Sequence, residues 1–100
     1  MRARFLKSAE VELEEAITYL DQQRQGLGDR FEQDLESTVK FVTAHPRSGK
    51  VLTERVRKFP FRKFPYNLIY VVEVTEIIIV AVAHHRRRPE YWLGRLSEIR

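Results

Sequence analysis

Two runs of strand-forming residues, Leu68–Val74 and Ile77–Ala83, are separated only by Thr75 and Glu76. β-branched side chains dominate both runs, which suits a pleated and buried surface. So short a link predicts an antiparallel hairpin, although it lacks the Asn-Gly or Gly-X chemistry that sets a turn type. Each run is apolar at nearly every position. Strict alternation puts Ile77, Ile79, Ala81 and Ala83 on one face and Ile78, Val80 and Val82 on the other. A sheet with helices on one face only should alternate apolar with polar. The second face therefore needs its own cover, from the terminal segment, a dimer mate or another chain. The second run stops at His84-His85-Arg86-Arg87-Arg88-Pro89, where an apolar strand meets a dense group of cationic and titratable side chains.

The preceding sequence reads as helices that pack on this hairpin. Arg2–Lys7 suits a first strand with Ala3 and Phe5 inward. Ser8 is a candidate N-cap, followed by Glu10 and Glu12 near the positive end of a helix. Ala9, Leu13, Ala16, Ile17 and Leu20 form one helical stripe, which leaves Glu12, Glu14, Glu15, Asp21 and Gln22 for water. Gln25-Gly26-Leu27-Gly28 breaks the pattern as a helix end and tight link. Asp29 is then a candidate cap for a second helix, whose stripe is Phe31, Leu35, Thr38, Val39 and Val42. Two such helices joined by a short link predict an antiparallel hairpin running to about Ala44. Val51–Phe64 is an irregular strand in which Pro60 belongs at an edge, a bulge or a strand end. Pro65 marks the turn into Tyr66–Val74, and Pro89 suits the first turn of a short terminal helix. The predicted fold is α+β in the order β-α-α-β-β-β-α: an N-terminal strand, a helical hairpin packed on an antiparallel sheet of about four strands, and a short C-terminal helix.

The length fits one domain spanning residues 1–100. There is no cysteine, hence no disulfide framework and no thiolate metal site. The longest unbroken apolar run, Ile77–Ala83, has seven residues, far short of the ~20 needed to span a bilayer. The N-terminus MRARFLKSAEVELEE turns acidic too early for a signal peptide, so a cytoplasmic protein is expected. Charge is unevenly distributed: residues 51–100 carry ten Lys and Arg against five Asp and Glu, whereas residues 1–50 carry eight against nine. A basic C-terminal half points to an anionic partner.

No metal spacing, phosphate loop or nucleophile motif stands out, and no cofactor is implied. His84 and His85 are adjacent, so on a strand they point to opposite faces. What remains is a basic group, Arg55, Arg57, Lys58, Arg62 and Lys63 with Arg86, Arg87 and Arg88. It is interleaved with Phe59, Phe61, Phe64, Tyr66, Tyr91 and Trp92. Cations beside aromatic rings suit single-stranded nucleic acid, with charge for phosphate and rings for base stacking. The opposing interpretation places the rings in the core and the cations on a solvated rim. Metal-free RNA cleavage would need a base, a stabiliser of phosphorane charge and an acid. Glu54 suits the first role, Arg86 or Arg57 the second, and His85 or Tyr91 the third.

The Gly26-Leu27-Gly28 link with Phe31, the KFPYNLIYVVE strand, the IIIVAVAHHRRRPEYW strand end and the overall size together resemble the RelE/ParE superfamily of type II toxin–antitoxin systems. The resemblance covers almost the whole chain and is most specific from Arg62 to Trp92. It implies a small toxin of a plasmid-stabilisation module, neutralised by a cognate antitoxin (ParD-like or RelB-like) whose extended segment covers the sheet and the Arg86–Arg88 region. DNA would then be contacted only through the antitoxin, and no membrane is involved. RelE-like members cut mRNA on the ribosome. Their functional positions fall here on Arg57 or Arg62, on Arg86 or Arg88, and on Tyr91, with His85 a further candidate. ParE-like members inhibit DNA gyrase by binding, for which Arg57, Lys58, Arg62, Lys63, Arg86, Arg87, Arg88 and Trp92 are the candidate contacts. The long helical hairpin, Ser8 to Ala44, and the single Lys50 in place of a lysine-rich loop favour the ParE-like branch. A non-toxic basic nucleic-acid-binding module is the remaining alternative.

Overall fold

A computed structural model describes residues 1–99. The chain forms β1 (Arg2–Phe5), α1 (Lys7–Gln23), α2 (Leu27–Ala44), β2 (Lys50–Val51), β3 (Val56–Pro60), β4 (Tyr66–Val72) and β5 (Glu76–His84), and ends in a 3-10 helix at Leu93–Glu98. The strands lie in the order β1-β5-β4-β3-β2. The expected α+β class and element order hold. The sheet has a fifth, short strand, β2, and it is mixed: β1 runs parallel to β5 while the other pairs are antiparallel. The last strand thus enters the middle of the sheet, between β4 and β1. The hairpin link is one residue longer than the sequence suggested, Glu73 to Thr75, and is closed by the Glu73 N–H donating to the Glu76 carbonyl at 2.8 Å.

The two helices bury the stripes that their spacing marked. Ala9, Ala16, Phe31, Leu35 and Val42 meet Leu68, Tyr70, Ile77, Ile79 and Val82 of the sheet in one core. Their starts differ from local capping rules. Leu6, not Ser8, stands at the N-cap of α1, and the Leu6 carbonyl accepts from the Ala9 and Glu10 N–H groups, each at 3.0 Å. Leu6 is buried under the opposite face of the sheet, and that burial fixes where the chain turns into the helix. Ser8 lies inside the first turn with its hydroxyl buried and unpaired. For α2, Gly26 takes the N-cap position at φ +92, a left-handed conformation that glycine adopts without steric cost. Asp29 sits in the first turn, and the capping carboxylate comes from α1: Asp21 Oδ1 accepts the Gly28 N–H at 2.8 Å.

The strict alternation predicted for β5 fails after Ile79. Tyr70 pairs with Ile79 and Ile69 with Ala81, which leaves Val80 as an extra residue opposite β4. Such a bulge reverses the phase of the side chains that follow. Ile77, Ile79 and Val82 consequently face the helices, while Ile78, Val80, Ala81 and Ala83 face away. The second face is apolar as expected, and the chain covers it itself. Trp92 is 3% exposed there, with Tyr91, Leu96 and Ile99 packed around it. An antitoxin segment is therefore not needed to hide this face. The terminal helix is also later and tighter than expected, since Pro89 lies in the preceding turn and the 3-10 helix begins at Leu93.

Candidate functional site

The β3–β4 loop and the turn after β5 lie side by side at one end of the sheet. Tyr66 pairs with His84, and the His85 N–H donates to the Pro65 carbonyl at 2.9 Å. Arg62 and Lys63 are thereby brought to the same end as Arg86, Arg87 and Arg88. The loop is held from beneath by Asp34 of α2, a buried carboxylate that accepts the Arg62 N–H at 3.3 Å and the Lys63 N–H at 2.8 Å. Binding two successive amides fixes the loop backbone and leaves both cationic side chains exposed. Below it, the Phe31 ring meets Phe61, Phe64 and Tyr66 at centroid distances of 5.3, 5.3 and 4.7 Å. These aromatics form the support of the loop and are not a stacking surface.

A second assembly ties the turn after β5 to the body of the fold, and its organising residue is Glu12. β1 ends at Phe5, opposite Ile79, so beyond that point the β1 side of β5 has no strand partner. Glu12 Oε1 accepts the Val82 N–H at 3.0 Å, and the Arg95 guanidinium donates to the Val80 carbonyl at 2.9 Å. The two side chains replace the missing strand and satisfy its backbone groups. They also pair with each other, Nη1 to Oε1 at 2.8 Å and Nη2 to Oε2 at 2.9 Å, a two-pronged ion pair. The Tyr91 hydroxyl donates to Glu12 Oε2 at 2.6 Å. Burial, this hydrogen bond and the Glu12 charge raise the Tyr91 pKa far above its usual value. The Arg87 guanidinium lies 3.8 Å from the centre of the Tyr91 ring and 4.0 Å from Glu12, so Arg87 is folded back onto this assembly. The sequence had placed Glu12 in water, yet its side chain is only 11% exposed. The available signal was its spacing: it follows Ala9 by three residues and precedes Ala16 by four, and both are buried.

The remaining candidates separate. Arg57 donates to the Arg47 carbonyl at 3.1 Å and the Gly49 carbonyl at 2.9 Å, holding the loop between α2 and β2. The Tyr70 hydroxyl reinforces that loop, donating to the Pro46 carbonyl at 2.8 Å and accepting the Gly49 N–H at 3.0 Å. Glu54 precedes the start of β3, which pairs with Val71, so it lies at the opposite end of the strand from His85. Trp92 is buried and offers no surface for stacking. Tyr91, held by Glu12, is poorly suited to give up a proton at neutral pH. His84 Nδ1 accepts the Arg86 N–H at 3.0 Å, and burial, then Arg86, then His85 lower its pKa. The exposed side chains left at this end are Arg62, Lys63, His85, Arg86 and Arg88. None of the four basic ones forms an ion pair among the described residues. Together they place positive charge at this end of the sheet, a basic pole with Arg62 and Lys63 on the α2 side and Arg88 beside the C-terminal segment.

The sequence model of the family described as "ParE toxin of type II toxin-antitoxin system, parDE" matches residues 3–89. The chain belongs to the ParE toxin family. It is therefore a toxin of the type II toxin–antitoxin class, whose partner is an antitoxin. Among solved structures it is similar to a chain described as the "Chromosomal ParDE TA system from P. aeruginosa", with 18% identity and a TM-score of 0.73 over 84% of this chain and 95% of that chain. At that identity the likeness concerns the fold. No curated protein matched. The matched ParE region ends at Pro89, so the basic pole lies within it and the Tyr91–Ile99 cover follows it. Among the described residues no helix is long and apolar enough to cross a membrane.

Proposed function

We propose that this ParE-family chain acts by binding DNA gyrase through its basic pole, without cleaving a bond, and that a ParD-like antitoxin neutralises it by covering that pole. The observation that carries this reading is the use made of the candidate nuclease residues. The Tyr91 proton is held by Glu12, Arg57 is spent on two backbone carbonyls, and Glu54 lies at the far end of β3. His85 and Arg86 remain exposed as acid and stabiliser, but the candidate base Glu54 is remote from them, so the three roles that general acid–base cleavage requires do not meet around one point. Arg62, Lys63, Arg86 and Arg88 instead form an exposed charged surface, which suits association with an acidic macromolecular face.

The test is supercoiling by purified gyrase titrated with the toxin. Inhibition is expected, with loss of inhibition when Arg86 and Arg88 are both changed to Ala. Supercoiling that continues unaffected at saturating toxin would refute the gyrase reading. The RelE-like alternative rests on His85, exposed beside the same cations. It would require cut transcripts on translating ribosomes after toxin addition.

A further inference from the structure

The cations of the basic pole do not share one face. Arg88 lies beside the C-terminal segment, whereas Arg62 and Lys63 border a hollow of about 600 Å³ between α2 and the β3–β4 loop. From the α2 wall a third cation, Arg30, lines the same hollow, and Leu27 and Phe64 give it an apolar part. Arg30, Arg62 and Lys63 are all exposed, and none of them forms an ion pair among the described residues. The one carboxylate in the lining, Asp34, is buried, and its two oxygens are taken by the Arg62 and Lys63 amides. It fixes the loop without pairing any of the three cationic side chains. Leu27 and Phe64 are half-buried, and Phe64 stands edge-on to Phe31 at 5.3 Å, so the apolar part is set before a partner arrives. A cationic rim around a small apolar floor matches a carboxylate-rich segment that carries one apolar side chain. The apolar group is desolvated at the centre, and the charges at the rim steer its approach. The hollow has the volume of about twenty waters at ~30 Å³ each, room for one large side chain and the backbone beside it. A nucleic-acid strand fits it less well, because stacking a base needs a freely exposed ring, and Phe64 is half-buried against Phe31.

We propose that this hollow seats an acidic segment of the target protein, whose apolar side chain rests on Leu27 and Phe64 and whose carboxylates pair with Arg30, Arg62 and Lys63. The proposal rests on the gyrase reading above and deepens it. Arg30 joins the contact surface through α2, and the Arg86–Arg88 side forms a second, separate part of that surface.

The test is supercoiling by purified gyrase, titrated with the full-length toxin and with four variants. Ser37 is exposed and lines the hollow, so Ser37→Tyr fills it without changing charge and Ser37→Glu puts an anion among the three cations. Arg30→Met removes one of those cations, and Lys40→Met removes an exposed cation of α2 outside the hollow. The toxin concentration for half inhibition should rise about ten-fold for Ser37→Tyr, Ser37→Glu and Arg30→Met and stay unchanged for Lys40→Met. Unchanged circular dichroism and thermal melting of each variant excludes misfolding as the cause. A wild-type toxin that leaves gyrase unaffected refutes the gyrase reading and this proposal with it. If wild type inhibits and the Arg86→Ala, Arg88→Ala chain does not, while folded Ser37→Tyr and Arg30→Met chains inhibit as wild type does, this proposal alone is overturned. It is also overturned if Lys40→Met weakens inhibition as much as the hollow variants. A folded Ser37→Tyr chain that inhibits gyrase normally but escapes its antitoxin would overturn it in favour of the antitoxin as occupant. Saturable binding of a single-stranded oligonucleotide that Ser37→Tyr abolishes would overturn it in favour of nucleic acid.

Discussion

Replacing Glu12 with Ala tests how the C-terminal segment is held. The substitution removes a carboxylate whose side chain is 11% exposed and leaves Arg95, 18% exposed, without its acid. The Val82 N–H and the Tyr91 hydroxyl also lose their acceptor. Removing one partner of a buried ion pair costs about 3–5 kcal/mol, because the surviving charge stays buried and unpaired. Arg95 keeps its bond to the Val80 carbonyl and part of its solvation, so the lower end, about 3 kcal/mol, applies. At about 4–8 °C per kcal/mol for a domain of this size, Tm should fall by roughly 12–24 °C. Trp92 is covered by the same segment, and its emission should shift to the red as the segment loosens. The double variant Glu12→Ala, Arg95→Met should recover part of the loss, because the stranded cation is gone. Thermal melting followed by circular dichroism and by tryptophan emission measures both effects. A Glu12→Ala chain that melts within about 4 °C of wild type, with unshifted emission, would refute the reasoning.

Gly49→Ala should destabilise by about 1–3 kcal/mol in urea denaturation, because a Cβ there would lie 2.5 Å from the Tyr70 hydroxyl and 3.0 Å from the Lys58 carbonyl; a neutral effect would contradict the role given to that loop. Asp34→Ala should free the Arg62 and Lys63 amides, seen as faster hydrogen exchange at both, and should weaken target binding without altering Trp92 emission. His84 titrates below its usual 6.5, so the neutral ring is favoured in the fold. Its contribution to stability is present above pH 6.5 and is lost as pH falls through the lowered pKa. An NMR titration should show the His84 midpoint below 6.5, with the Arg86 amide shifting in parallel. Tyr91 has the opposite sign: its pKa is raised, so stability falls as pH rises above 10.0, and the fall should be smaller in Tyr91→Phe.

What the sequence disclosed followed the range of the interactions. The helical stripes Ala9–Leu20 and Phe31–Val42 were legible because a 3.6-residue period records which face is buried. Pro60, expected at an edge, a bulge or a strand end because a missing N–H is a local property, closes β3. The face assignment beyond Ile79 was not legible: where every residue is apolar, a period of two carries no phase, and the bulge at Val80 leaves no mark. The capping assignment of Ser8 failed because the burial of Leu6 outweighed a local rule. The spacing of Glu12 from Ala9 and Ala16 signalled its burial, but its partners were not legible, since Val82, Tyr91 and Arg95 lie 70, 79 and 83 residues away. Tyr91 and Trp92 suit a core as well as a stacking surface, and only their packing decides between the two. That the β3–β4 loop and the end of β5 share one end of the sheet was anticipated from an antiparallel pairing, whereas the diversion of Arg57 and Arg87 into structural roles was not.

Growth arrest compared between two variants tests most directly whether this toxin acts by binding or by cleavage. The first variant removes charge from the pole (Arg62→Ala, Arg86→Ala, Arg88→Ala), and the second is His85→Ala, which removes the one candidate proton donor still exposed there. Binding through the pole predicts that the first chain no longer arrests growth and that the second arrests it as wild type does, with both folded. A folded His85→Ala chain that is harmless, beside a charge-stripped chain that still stops growth, would contradict it.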